Sequence, residues 1–88
     1  MIDVINLTSE EFQICMNHEG GAIVLRGRQS IVFGILILKY QDKEHAIRVE
    51  EIRHVNFHQL SSYDIKRTVV RYRYSFDTLI TYICWRKI

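Results

Sequence analysis

The side chains in this sequence best equipped for chemistry are basic and aromatic, and they crowd toward one end. Lys66, Arg67, Arg71, Tyr72, Arg73 and Tyr74 share one short segment, and Arg86 and Lys87 follow close behind. Clustered Lys and Arg bind phosphates by displacing condensed counterions. Four of these six cations are Arg, whose planar fork suits bidentate phosphate contact better than a lysine ammonium does. Tyrosine faces stack on unpaired bases for about 1–3 kcal/mol each. If residues 71–74 are extended, both arginines share one face and both tyrosines the other. Either the tyrosines turn to the core and the arginines to solvent, or the tyrosines stay free to stack. Arginines facing outward bind phosphate. Arg26 and Arg28 make a second, smaller cluster that could join the first in space. Together these ten residues are the candidate RNA-binding surface. The plain alternative is solvated charge that keeps a small domain soluble.

Other chemistry is poorly supplied. His54 and His58 have the spacing of a helical ligand pair, but they straddle an expected strand end, where that spacing does not converge. No glutamate follows His54, as a zinc-hydrolase helix would need. A nucleophile needs a positioned base beside it, and the closest pairing is Cys15 three residues before His18 on an expected helix. The acidic pairs Glu10-Glu11 and Glu50-Glu51 are adjacent, so their carboxylates diverge. Gly20-Gly21 is too short to cradle a phosphate and reads as a helix cap. Neither a metal nor another cofactor is expected.

Charge is distributed unevenly. Residues 1–25 carry −4, residues 26–65 carry +1 and residues 66–88 carry +5, which leaves a net charge of only +2. An acidic head and a basic tail end let a nearly neutral chain present one positive face. At 88 residues the chain is expected to form a single domain, 1–88, with a modest core. The longest apolar run, Ile31–Leu38, is far short of the ~20 residues that span a bilayer. No secretory signal is legible at Met1-Ile2-Asp3-Val4. Cys15 and Cys84 are therefore read as reduced thiols, and the expected compartment is the cytoplasm, with no membrane partner.

The elements that must position these residues follow from local signals. Thr8 and Glu11 form a capping box that opens a helix, with Phe12, Cys15 and Met16 on one face. Ala22–Leu25 reads as a strand ending in Arg26-Gly27-Arg28. Ile31–Tyr40 reads as a buried strand with a bulge or close approach at Gly34. Gln41–Glu44 connects it to a partner strand over Ala46–Phe57, whose alternation is repaired by a bulge near Glu50-Glu51. Ser61 or Ser62 caps a short second helix, with Asp64 at its start, running to about Val70. Ser75-Phe76-Asp77 forms a turn. Leu79–Trp85, apolar on both faces, closes the domain as a strand buried on both sides. The expected fold class is α+β: a small curved sheet, or a partly closed barrel, with two short helices.

The run Val49-Glu50-Glu51-Ile52, then Phe57, Leu60-Ser61 and Asp64, resembles the ASCH domains of the PUA-like β-barrel superfamily. The upstream helix, the Gly20-Gly21 turn and a strand ending in Arg26 fit the same pattern, so the resemblance covers about residue 12 to the end. It implies a small PUA-like barrel with a cleft, often associated with RNA. Catalytic members look dependent on a lysine just after the glycine turn and on a hydroxyl residue in the next strand. Here those positions hold Ala22, Ile23 and Val24, and Phe33-Gly34-Ile35 replaces the usual Gly-Asp turn. The resemblance thus implies a non-catalytic member, with Arg26 as the one cleft cation carried over.

Three functions are compatible with these residues. The first is a non-catalytic RNA-binding domain. The second is a small inhibitor or adaptor, of the kind found in phage or toxin–antitoxin systems, that holds a protein target such as a nuclease or toxin, with or without RNA. The third is a minimal nucleoside amidohydrolase or ribonuclease, to which no residues are assigned.

Overall fold

A computed structural model describes residues 3–71 and 78–88, Arg71 by its backbone alone. The chain is α+β: the described residues form six strands in one mixed sheet, two α-helices and one 3-10 turn. In chain order the elements are β1 (Asp3–Asn6), α1 (Ser9–Met16), β2 (Gly20–Arg26), β3 (Gly34–Tyr40) and β4 (Lys43–Asn56). A 3-10 turn (Phe57–Gln59), α2 (Ser62–Arg67), β5 (Thr68–Arg71) and β6 (Leu79–Lys87) follow. The strand order is β1-β3-β4-β6-β2-β5. The two outer pairs, β1–β3 and β2–β5, are parallel, and the inner pairs are antiparallel.

The sheet is not closed, but it is strongly curved. Four strand spacings separate β1 from β2, about 19 Å if the sheet were flat. Yet Val4, Ile5 and Asn6 of β1 line one groove with Leu25 and Arg26 of β2. Helix α1 packs against both β3 and β5, strands from opposite halves of the sheet. The β1 edge is tied to the 27–33 loop by Asp3, whose Oδ2 accepts the Val32 N–H at 3.0 Å.

Two apolar clusters cover the two faces. On the α1 face, Phe12 and Cys15 pack with Ile23, Leu36, Leu38, Ile47, Ile83 and Trp85. On the α2 face, Leu60 packs with Ala22, Val24, Ile80, Tyr82 and Cys84. β6 lies between β4 and β2, and residues 80–85 are all buried, as its two apolar faces imply. Cys15 and Cys84 sit on opposite faces of the sheet, and both are free thiols.

Several expectations are met at the level of single bonds. The Thr8 hydroxyl accepts the Glu11 N–H at 3.1 Å, and the Glu11 carboxylate accepts the Thr8 N–H at 2.9 Å. Ser61, rather than Ser62, makes the equivalent box with Asp64. The register of β4 against β6 slips between Val49 and Glu51, so Glu50 is the bulged residue.

Other expectations are corrected. Gly20-Gly21 does not cap α1, which stops at Met16 with Asn17 as its C-cap. Both glycines begin β2. At Gly20 the reason is close approach, since a Cβ there would lie 2.7 Å from the Trp85 carbonyl oxygen. β3 begins only at Gly34, so Ile31–Phe33 is not strand. The hairpin turn is the two residues Gln41-Asp42, with Gln41 at φ 54°, and β4 already starts at Lys43. Met16 is exposed rather than core-facing. β1 has no counterpart in the sequence reading.

Helix α2 ends at Arg67 rather than near Val70. The Asp64 carbonyl accepts the Thr68 hydroxyl and the Tyr82 phenol, each at 2.9 Å. Side chains thus satisfy an acceptor that a continuing helix would give to a backbone N–H. The β-branched run Thr68-Val69-Val70 then favours a strand. The expected turn at Ser75-Phe76-Asp77 lies outside the described residues.

Candidate nucleic-acid interface

The candidate site is built on the α2 face, at the end of the sheet where β2 starts and β6 finishes. Arg86 is paired in register with Gly20 of β2 on one side and with Arg48 of β4 on the other. Cross-strand partners point to the same face, so Arg48 and Arg86 stand side by side, both exposed. Gly20, the third residue of this row, contributes no side chain. Beside it an open groove of ≈ 370 Å³ is lined by Glu19, Gly20, Glu50, Arg67, Trp85, Arg86 and Lys87.

Arg67 reaches this groove because α2 is fastened to the sheet beneath it. Arg53 on β4 donates to Asp64 Oδ1 at 2.7 Å, and its guanidinium lies 4.6 Å from the centre of the Tyr82 ring. Its Nε is 2.9 Å from Glu51 Oε1. That contact is an ion pair without hydrogen-bond alignment, since the buried Nε has no hydrogen-bond partner. Burial works against charge on both Arg53 and Asp64. Their mutual hydrogen bond, with Ser61's bonds to the carboxylate, outweighs it. Asp64 is therefore held below the usual carboxylate range and Arg53 above its ordinary value. Burial, then the nearby Cys84 and Asp64, pushes the Tyr82 phenol up to about 12, so it remains a hydrogen-bond donor at neutral pH.

At the end of this anchored helix the Arg67 guanidinium lies 5.6 Å from the centre of the Tyr63 ring. Its Nη1 is 3.8 Å from Cys84 Sγ, a long and weak contact. Guanidinium has five N–H donors, so among the described residues most of Arg67's capacity is uncommitted. Arg86 is held by Glu50, whose Oε2 is 3.4 Å from Nε. Among the described residues, Arg67 and Lys87 make no ion pair with a carboxylate.

The expected surface is therefore split. Arg67 and Arg86 come together at the groove, which Lys87 borders from the alternate position of β6 beside Ile47, and Lys66 is exposed on the same short helix as Arg67. Arg26 and Arg28 do not join them. Arg26 is paired with Ile80 at the other end of β2, about 20 Å from Gly20 at the usual strand rise. Arg26 borders a separate groove of ≈ 360 Å³ with Val4, Ile5, Leu25, Gln29 and Ile31. Arg71 is paired with Val24, on the Arg26 side of β5. Tyr72, Arg73 and Tyr74 lie outside the described residues.

Arg48, Gly20, Glu50 and Tyr63 belong to the site without having been anticipated. Tyr63 is 66 % exposed, and its i,i+4 spacing to Arg67 was available in the sequence. Arg48 could be found only through its register with Arg86.

His18, His54 and the two thiols are engaged elsewhere. His54 Nδ1 is 3.2 Å from the Thr81 hydroxyl, and His18 Nδ1 is 2.7 Å from the Ile14 carbonyl. Cys15 is fully buried, and burial followed by the Glu11 charge pushes its thiol up to about 11. Burial and Glu51 also raise Cys84. Neither is an activated nucleophile. Among the described residues no three His, Cys, Asp or Glu side chains gather into a metal site, and no helix is long and apolar enough to cross a membrane.

Comparison with known protein families, curated proteins and solved structures finds no match to this chain.

Proposed function

We propose that this domain is a non-catalytic RNA-binding module whose phosphate grip is the Arg48–Arg86 row and the adjoining Arg67–Lys87 groove. One observation carries the reading: two arginines stand directly opposite each other on neighbouring strands. Like charges in that position are destabilising, and an anion bound between them removes the repulsion. The open groove beside them, lined by Arg67 and Arg86, gives a backbone phosphate its approach.

The same reading takes the curved sheet to be of the PUA-like, ASCH-related kind. It is supported by the succession of α1, a β2 that opens with Gly20-Gly21 and closes with Arg26, and the β4–α2 stretch that ends in the Ser61–Asp64 box. Ala22, Ile23 and Val24 support a non-catalytic role. Their side chains are buried in the two cores and offer neither an amine nor a hydroxyl. The module is read as cytoplasmic.

The test is purification from cells with and without ribonuclease, following ultraviolet absorbance and elution volume, alongside Arg48→Glu/Arg86→Glu. Co-purifying RNA that is lost in high salt and lost in the double variant is the expected result. For three or four phosphate contacts on a single strand, the affinity falls with a log–log salt slope of about 2–3. RNA-free protein that instead retains a protein partner through ribonuclease treatment would overturn the reading. It would favour an inhibitor or adaptor of a nuclease or toxin.

A further inference from the structure

The geometry points to a second component of the same site: Tyr63 and Arg67 together form a stacking platform for one unpaired base, so the ligand is single-stranded rather than duplex RNA. This inference rests on the RNA-binding reading and narrows its ligand class.

Tyr63 lies on the first turn of α2 and is 66 % exposed, whereas the domain's other described tyrosines, Tyr40 and Tyr82, are half-buried and fully buried. An exposed ring on a short surface helix contributes little to the core. The Arg67 guanidinium stands 5.6 Å from the ring centre, within the range of a cation–π contact. Such a contact restrains the ring and leaves the rest of its surface to solvent. Arg67 also lines the Gly20–Arg86 groove. One side chain therefore joins an open aromatic surface to an open groove in which cations outnumber carboxylates. A splayed base on Tyr63 would carry its flanking phosphate toward Arg67 and Arg86. A base inside a duplex has both faces covered by its neighbours and cannot use the ring.

Binding is measured by fluorescence anisotropy with two labelled probes: a short unpaired RNA of mixed sequence and a blunt duplex of equal length. Wild type, Tyr63→Ala and Tyr63→Phe are compared, with urea unfolding as a check that each variant is folded. The expected result is preference for the unpaired probe. Tyr63→Ala should lose about 5- to 100-fold on that probe, with little change on the duplex, and Tyr63→Phe should retain binding. Equal affinity for both probes, or an unpaired-probe affinity indifferent to Tyr63→Ala, overturns the platform and leaves the phosphate groove standing. Wild-type protein that binds neither probe overturns the RNA reading itself.

Discussion

Arg48 on β4 and Arg86 on β6 are direct cross-strand partners on one exposed face, and the bulged residue Glu50 supplies the nearby carboxylate, 3.4 Å from Arg86 Nε. Arg48, Arg67, Arg86 and Lys87 outnumber Glu19 and Glu50 here, which leaves an excess of positive charge at the very end of the sheet. The bulge itself places Glu50 there, because the register slip takes it out of the regular alternation.

Glu50 competes with a phosphate for Arg86. Glu50→Gln should tighten RNA binding by about two- to fivefold while lowering stability by no more than about 0.5 kcal/mol, since an exposed ion pair contributes little. Anisotropy titration and urea unfolding of the same preparation read both quantities. Weaker binding by Glu50→Gln would show that Glu50 organises the arginines instead of masking them.

Arg26 and Arg28 are separated from the basic row by the length of β2. At physiological salt the Debye length is ~8 Å, so they act independently of it. On a short unpaired RNA, Arg26→Glu/Arg28→Glu should change affinity by less than about threefold. Arg67→Glu/Arg86→Glu should weaken it by tenfold or more. Equal losses in side-by-side titrations would place the interface across both ends of the sheet.

Asp64 joins two jobs, capping α2 and neutralising Arg53. Its pKa is depressed in the folded state because the Arg53 and Ser61 bonds outweigh burial. The stabilisation it brings is therefore fully present above the unfolded carboxylate pKa of about 3.9. It is lost as pH falls through the lower folded value. Asp64→Asn should lower stability by about 2 kcal/mol at neutral pH. The difference from wild type should shrink below about pH 4. Denaturant melts across that acid range check the sign. A gap that widens with acid would contradict the assigned linkage.

Thr81 is a fully buried polar residue, and its hydroxyl closes the 27–29 loop. It donates to the Gly27 carbonyl at 2.6 Å and accepts the Gln29 N–H at 2.8 Å. Thr81→Val keeps the shape but leaves both backbone groups without that partner, at a cost of about 1–3 kcal/mol. Hydrogen exchange should quicken most at Gln29. RNA affinity should not change, because the loop lies at the end of β2 away from the basic row.

Sequence by itself determined what depends on near neighbours along the chain. The Thr8–Glu11 and Ser61–Asp64 boxes are i,i+3 bonds, legible because a side chain of the right length sits at the right offset. The Glu50 bulge was legible because alternation in a half-buried strand cannot break without one. β6 was legible as a doubly buried strand from its two apolar faces. Tertiary structure decided what depends on residues distant in sequence. Gly20 is a strand residue rather than a helix cap because the Trp85 carbonyl arrives from β6. α2 stops early because the Tyr82 phenol and the Thr68 hydroxyl occupy the Asp64 carbonyl. β1 exists because β3 offers it a parallel edge, and four residues carry too little pattern to announce it. The candidate site follows the same division. Clustering along the chain marked Arg67, Arg86 and Lys87, but only strand register could set Arg48 beside Arg86 and carry Arg26 to the other end, because side chains meet across a sheet by pairing and not by proximity in sequence.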